Sequence, residues 1–277
     1  MKTSFKEQCI TLRKEGYSII EIMKATGRAK SSIHTHIKDI PLSEKRLKEI
    51  KKASGERIRK FALARKGKSK REFRAFEKWS ANTVLLVAHL LFDGEIARTR
   101  CAYNNRSVAL IGRVERLMRE WYDFEPSRYY NKMTGVSRIT YSNVALGSYL
   151  NTRSRELLQE IKEMPSGLKR EFIRAFFDDE GCIDYRPKEN RRSIRGYQKD
   201  VRILKIIKSL LGDFDIASRV VLPNEVVIVG KENLIKFECE VNFSPGVYMN
   251  GNRSNSRWKK HVEKRGLLNQ AILSFKS

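Results

Sequence analysis

Cysteine is scarce in this chain and never clustered. Cys9, Cys101, Cys182 and Cys239 stand singly, with no Cys-x-x-Cys pair and no histidine at ligand spacing. That pattern argues against a zinc site and, in a cytosolic setting, against disulfides, so all four are expected to act as small hydrophobes. Long apolar runs are missing too: the longest, Val84 to Phe92, has His89 inside it and is far too short to span a bilayer. The opening Met-Lys-Thr-Ser-Phe-Lys leads into a polar helix and lacks the apolar region of a signal peptide. A cytoplasmic, nucleoid-associated protein with no membrane partner is expected. Acidic residues are in deficit, with 32 Asp+Glu against 57 Lys+Arg and a net charge of +25 over 277 residues. Such self-repulsion is tolerable beside a polyanion, and nucleic acid is the usual one. A hydrophobic share of 40% excludes wholesale disorder and supplies one or two cores plus a small accessory module.

Within this basic chain one theme occurs twice. The first instance reads Ala88-His89-Leu90-Leu91-Phe92-Asp93-Gly94-Glu95-Ile96, and the second Ile173-Arg174-Ala175-Phe176-Phe177-Asp178-Asp179-Glu180-Gly181. Each is an apolar helical run ending in an acidic cluster. A carboxylate at the tip of a greasy helix is costly to bury without a cation or water beside it. Two such tips meeting across a pseudo-two-fold axis would hold a divalent metal beside a polyanion.

The chain divides by pattern into residues 1–40, 41–75, 76–163 and 164–277. The first segment predicts three helices, Phe5–Glu15, Ser18–Thr26 and Ala29–Lys38, with Ser18 and Glu21 at capping-box spacing and Gly27 at the second turn. Ile10, Leu12, Ile19, Ile22, Met23, Ile33 and Ile37 are spaced to bury one small core. Residues 41–75 are crowded with Lys and Arg and are expected to be partly helical, broken near Gly55 and Gly67. A solvated linker and a phosphate-tracking one both fit that composition. Beyond residue 76 each half follows its apolar helix with a strand-rich stretch and an amphipathic helix (Ser107–Trp121; Asp200–Leu211). Two strands come next (Ser127–Lys132 and Val136–Ser142; Ser218–Leu222 and Glu225–Val229), then a closing helix (Val144–Ile161; Lys231–Val241). The order in both halves is α-β-β-α-β-β-α, a duplication of architecture.

On these motifs the chain resembles the LAGLIDADG homing endonucleases in their single-chain, two-motif form, over roughly residues 76–245, while residues 4–39 resemble a resolvase-like helix-turn-helix. The resemblance implies an α+β fold: a pseudo-two-fold pair of αββαββα repeats with saddle-shaped antiparallel sheets, preceded by a small all-α module. It implies one acid per motif beside the scissile phosphates, carried here onto Glu95 and Glu180, which would hold Mg²⁺ or Mn²⁺. It also implies a polar residue and a lysine ordering water at the end of a strand, a place that Gln198 and Lys199 fit and that Asn104-Asn105 fills in the first half without a lysine. Ile96 then stands where the family has glycine, and Leu90 where a small residue lets the helices approach. Asp93, Asp178 and Asp179 become helix-end and supporting groups. In the helix-turn-helix, Lys30, Ser31, Ser32, His34, Thr35 and Lys38 would face DNA.

Alternation along the strands extends the DNA surface. It groups Arg98 with Arg100, Arg128 with Tyr130 and Lys132, Arg138 with Thr140 and Ser142, and Asp184 with Arg186, while Arg191, Arg192 and Arg195 crowd the next loop. Rows of arginine suit guanine edges and phosphate. The apolar hairpin Ser218–Val229 is expected to pack and not to touch bases. The expected function is metal-dependent, site-specific double-strand cleavage by a monomer acting as a pseudo-dimer. The competing reading is a regulator that keeps the scaffold without cutting. A recombinase is disfavoured because no serine-nucleophile domain is apparent.

Overall fold

In the computed structural model, described for residues 4–65, 72–249 and 262–275, the chain forms two compact units, Met1–Lys70 and Arg71–Ser277. The first is helical. Helices α1 (Phe5–Lys14), α2 (Ile19–Thr26) and α3 (Lys30–Ile37) begin within a residue of their predicted starts. The Ser18 hydroxyl accepts from the Glu21 amide at 3.3 Å while the Glu21 carboxylate accepts from the Ser18 amide at 2.7 Å, so two orphan donors are satisfied reciprocally. Ser4 and Glu7 build the same box on α1. Gly27 closes α2 at φ 66°, in the left-handed region that glycine enters without penalty. The core is Cys9, Ile22, Ile33 and Ile37, with Phe5, Leu12, Ile19 and Met23 against it; Cys9 takes the inner place predicted for Ile10, which is half-buried.

Helix α4 (Glu44–Arg65) follows as one run of 22 residues through Gly55, where a break was predicted. A mid-helix glycine costs only about 1 kcal/mol, too little to interrupt a segment so rich in strong helix formers. Gly67, the other predicted break, lies outside the described residues. Arg46 ties α4 to the bundle, donating to the Gly16 carbonyl at 3.1 Å and pairing with Glu21 at 2.8 Å.

The second unit is the duplication. Its first repeat runs α5 (Ala81–Phe92), β1 (Gly94–Ala97), β2 (Arg100–Asn105), α6 (Val108–Trp121), β3 (Ser127–Asn131), β4 (Val136–Tyr141) and α7 (Val144–Glu160). Its second runs α8 (Ser166–Glu180), β5 (Gly181–Arg186), β6 (Arg191–Tyr197), α9 (Val201–Gly212), β7 (Ser218–Val221), β8 (Glu225–Val229) and α10 (Lys231–Glu240), with α11 (Lys264–Leu273) appended. Each repeat contributes one four-stranded antiparallel sheet, ordered β1-β2-β4-β3 and β5-β6-β8-β7. The fold is therefore α+β, with the predicted αββαββα order in both halves.

Helices α5 and α8 pack together at the centre. The Phe92 ring meets Phe172 and Phe176 edge-on at 5.4 and 5.2 Å, and Ala88 and Ala175 are fully buried. Because α5 is enclosed on nearly every side, its sequence is apolar almost all round and does not carry a single stripe. No helix among the described residues is long and apolar enough to cross a membrane.

Close backbone approach gives a direct stability test. A Cβ on Gly147 would lie 2.4 Å from the Ala97 carbonyl oxygen and one on Gly196 would lie 2.3 Å from the Phe176 ring, whereas one on Gly112 in α6 meets nothing. Urea unfolding should show Gly147→Ala and Gly196→Ala destabilised by about 1–3 kcal/mol. Gly112→Ala should gain about 0.5–1 kcal/mol.

Candidate nucleic-acid interface and acidic cavity

The register of the two motif helices is set by their exit glycines. A Cβ on Gly94 would meet the Leu90 carbonyl oxygen at 2.4 Å, and one on Gly181 would meet the Phe177 carbonyl oxygen at 2.3 Å. Both strands thus leave their helix through a step that admits no side chain, and Gly94 and Gly181 are equivalent. Counting back one residue aligns Asp93 with Glu180. Counting back four aligns Leu90 with Phe177, and counting back six aligns Ala88 with Ala175. Asp93 and Glu180 line one cavity of about 1140 Å³, together with Asn104, Asn105, Arg106, Asp178, Asp179, Cys182, Tyr197 and Lys264.

Glu95, expected as the first acid, is elsewhere. It is the second residue of β1 and pairs with Ala102 of β2, on the sheet face that also carries Arg138 and Asn104. Its carboxylate is held by Arg138 at 2.6 Å and Arg100 at 2.8 Å. The Arg138 hydrogen bond first, then that from Arg100, keeps its pKa below the ordinary glutamate value. Glu95 is not among the residues lining the cavity. The acidic cluster Asp93-Gly94-Glu95 holds two carboxylates, and the exit-glycine register brings Asp93, two residues before Glu95, to the place that Glu180 holds in the second repeat. In this register Gly94, in place of Ile96, stands equivalent to Gly181, and Ala88, in place of Leu90, stands equivalent to Ala175.

A second correspondence follows from strand pairing. Gly94 faces Tyr103 on β2, and Gly181 faces Gly196 on β6. Two residues further on stand Asn105 and Gln198, then Arg106 and Lys199, then the helix caps Ser107 and Asp200. Each half therefore carries an amide followed by a cation, so the first half lacks a lysine but not the charge. Asn105 donates to the Asp93 carboxylate at 2.8 Å, and Arg106 donates to the Thr134 carbonyl at 2.6 Å. Gln198 is engaged locally, its side-chain oxygen accepting from the Asp200 amide at 3.4 Å. Gln198 and Lys199 are not among the lining residues of the cavity.

Behind the tips lies a buried polar network whose members are scattered along the sequence. Asp179 of α8 accepts from the Tyr103 hydroxyl at 2.5 Å and lies 2.9 Å from Nδ1 of His89 on α5, joining the two repeats. Asn105 also donates to the Tyr103 oxygen at 3.1 Å, so the network reaches Asp93. Burial first, then the Asp179 charge, drives the Tyr103 pKa well up and keeps its proton available for donation. Asp178, 2% exposed, accepts from the Ser244 amide at 2.8 Å and from Arg113 at 3.1 Å. Lys264 of α11 donates to the carbonyls of Phe177 at 3.0 Å and Asp178 at 2.7 Å, capping α8 with positive charge where the helix dipole is negative. Burial lowers its pKa while the nearby carboxylates oppose the shift. The one signal in the sequence was His89, a polar residue inside a greasy run. Among the described residues no group of three or more His, Cys, Asp and Glu side chains could hold a metal ion.

Residues facing one another across antiparallel strands share a face, which sorts the predicted DNA contacts. On the first sheet Arg100, Asn104, Arg138 and Thr140 share the face opposite buried Tyr103, Ile139 and Tyr141, as alternation predicts. Arg128 and Tyr130 do not join them. They pair with Ile139 and Ser137 on the helix-covered side, where Arg128 bonds Glu115 of α6; Tyr129, passed over, pairs with Arg138 instead. The bulk of Tyr129 and Tyr130 in succession hid which of them faced out. Arg98 lies in the β1–β2 turn and Lys132 in the β3–β4 turn, both exposed. On the second sheet Asp184, Arg186, Arg191 and Arg195 share the open face, within strands and not in a loop. Arg192 turns the other way, donating to the Ser274 carbonyl at 2.9 Å. In the separate helical unit, Lys30, Ser31, Ser32, His34, Thr35 and Lys38 are all exposed.

Residues 167–242 match the family model of the LAGLIDADG-like domain. Among solved structures, a mesophilic variant of the homing endonuclease I-DmoI is 16% identical, with a TM-score of 0.47 over 60% of this chain and 94% of that one. The N-terminal LAGLIDADG domain of DUF199/WhiA is 15% identical, with a TM-score of 0.46 over 60% of this chain and 86% of that one. Full-length DUF199/WhiA from Thermatoga maritima is 13% identical, with a TM-score of 0.49 over 73% of this chain and 63% of that one. The comparison with curated proteins gives no match.

Two stability measurements check this wiring. Asp178→Ala, which strands Arg113 and the Ser244 amide, should cost about 3–5 kcal/mol in denaturant unfolding. The lowered pKa of Glu95 means that its stabilising contribution is complete above the ordinary glutamate value and lost as pH falls through the depressed one. The stability gap between the native chain and Glu95→Gln should therefore close on acidification.

Proposed function

We propose that the chain is a site-specific, metal-dependent endonuclease acting on double-stranded DNA, a reading supported by the LAGLIDADG-like match over residues 167–242 and by the duplicated αββαββα order. In this reading Asp93 and Glu180 are the two motif acids. The observation that carries it is that one carboxylate from each repeat, each immediately before an exit glycine, lines a single cavity.

The donor set suits a hard cation. Mg²⁺ keeps several waters and is commonly bound through one or two carboxylates plus phosphate oxygens, so a cage of three protein ligands is not required. Asp93 and Glu180 would hold such ions, which when bound would offset charge on the attacking water and the leaving oxygen. The protein's own part is orientation and charge. Asn105 fixes the Asp93 carboxylate, and Lys264 anchors the helix end that presents Glu180. Arg106 and Lys199 offer positive charge to the phosphates entering each half. One acid per repeat assigns one strand to each, so a single chain would make a double-strand break as a pseudo-dimer.

A second reading, a regulator that binds without cutting, is favoured by one feature: in the helical unit, α3 exposes Lys30, Ser31, Ser32, His34 and Thr35 together. One experiment separates the two. Purified chain is mixed with a library of duplex sites in Mg²⁺ or in Ca²⁺. The nuclease reading expects Mg²⁺-dependent double-strand cuts, reduced by about two orders of magnitude in Asp93→Asn and in Glu180→Gln and nearly unchanged in Glu95→Gln. Salt-sensitive binding with no cut in either metal would establish the regulator.

A further inference from the structure

We propose that the second repeat reads the C5-methyl group of thymine through an apolar window in the open face of its sheet. The proposal rests on the DNA-binding part of the function above and is independent of cleavage.

Strand register exposes the window. On β8, Val226 and Ile228 are fully buried, so Val227 and Val229 take the opposite face, joined by Val221 of β7. The hairpin expected only to pack thus gives three of its five valines to the open face and two to the core. Val227 is 6% exposed, while Val221 and Val229 are 37% and 43% exposed. All three line a cavity of about 450 Å³ rimmed by Arg191, Arg195 and Arg219. Arg195 and Arg219 sit directly across from Val227 on the two neighbouring strands.

The charge at the floor of this window is largely matched within the sheet. Arg195 bonds the Glu225 carboxylate and lies 3.6 Å from Asp184. That arrangement disfavours a phosphate at the centre and leaves an apolar floor inside a basic rim. In the major groove the base-edge group that such a floor fits is the thymine methyl, with phosphates held by the rim. On the corresponding face of the first sheet, Ala102 is surrounded by Glu95, Arg100, Asn104, Arg138 and Thr140 and Val136 stands apart at the strand end, so no cluster of valines matches the window there.

The test starts from duplexes that the full chain selects from a randomised library in Ca²⁺. Thymine should be enriched at one or two positions in one half-site. Replacing each by deoxyuridine, which removes only the methyl, should weaken binding about fourfold, the worth of one buried methyl-sized group. The double variant Val221→Ser and Val229→Ser, at the two exposed valines of the window, should bind thymine and uridine duplexes alike while keeping the preferences of the other half-site. Equal binding of the two duplexes by the native chain would overturn the proposal, as would selected sites with no thymine preference. Failure to select any sequence would overturn the DNA-recognition reading itself, and this proposal with it.

Discussion

Everything in the larger unit depends on two apolar helices meeting with carboxylates at their ends. Packing α5 against α8 buries aromatic and aliphatic side chains and sets the spacing of the repeats. The same contact carries Asp178 and Asp179 out of water, where an unpaired charge costs several kcal/mol. The chain meets that demand with long-range partners: His89 and Tyr103 from the other repeat for Asp179, and Arg113 and Ser244 for Asp178. Lys264 then neutralises the end of α8. A single interface therefore supplies cohesion, inter-repeat register and the electrostatics of the cavity.

Asp93 and Glu180 stand at the cavity wall, where the exit glycines turn the chain sharply into β1 and β5. A side chain at either glycine would collide with the carbonyl four residues back. Backbone geometry places the tip carboxylates, Asn105 steadies that of Asp93, and longer-range partners hold Asp178 and Asp179. All four carboxylates line the cavity, and Asp178 and Asp179 also carry the buried contacts between elements.

The architecture was legible because its signals are local. Periodicity and caps place the helices, as at Ser18 and Gly27, and alternation places Arg138 against Ile139. The candidate site was only half legible. Asp93 and Glu95 lie within one turn of each other, and no local property says which precedes the strand's first hydrogen bond. That distinction needs the pairing of Gly94 with Tyr103, a contact across the sheet. The partners of Asp179 and Lys264 were hidden for the same reason, since His89 and Phe177 lie some 90 positions away from them along the chain. The valine window was masked because every second residue of Ser218–Val229 does pack, as expected.

The two sheets also differ in chemistry despite their common topology. The first presents a carboxylate clamped by two arginines, the second an apolar floor in a basic rim. A duplicated scaffold whose halves have diverged in this way suits an asymmetric target, with the shared helix interface keeping the halves in fixed relation. The most direct measurement of the central claim is a crystal structure of the full chain on its selected duplex with Mn²⁺. Anomalous density is expected beside both Asp93 and Glu180. Density beside Glu95, or at Glu180 with none near Asp93, would contradict it.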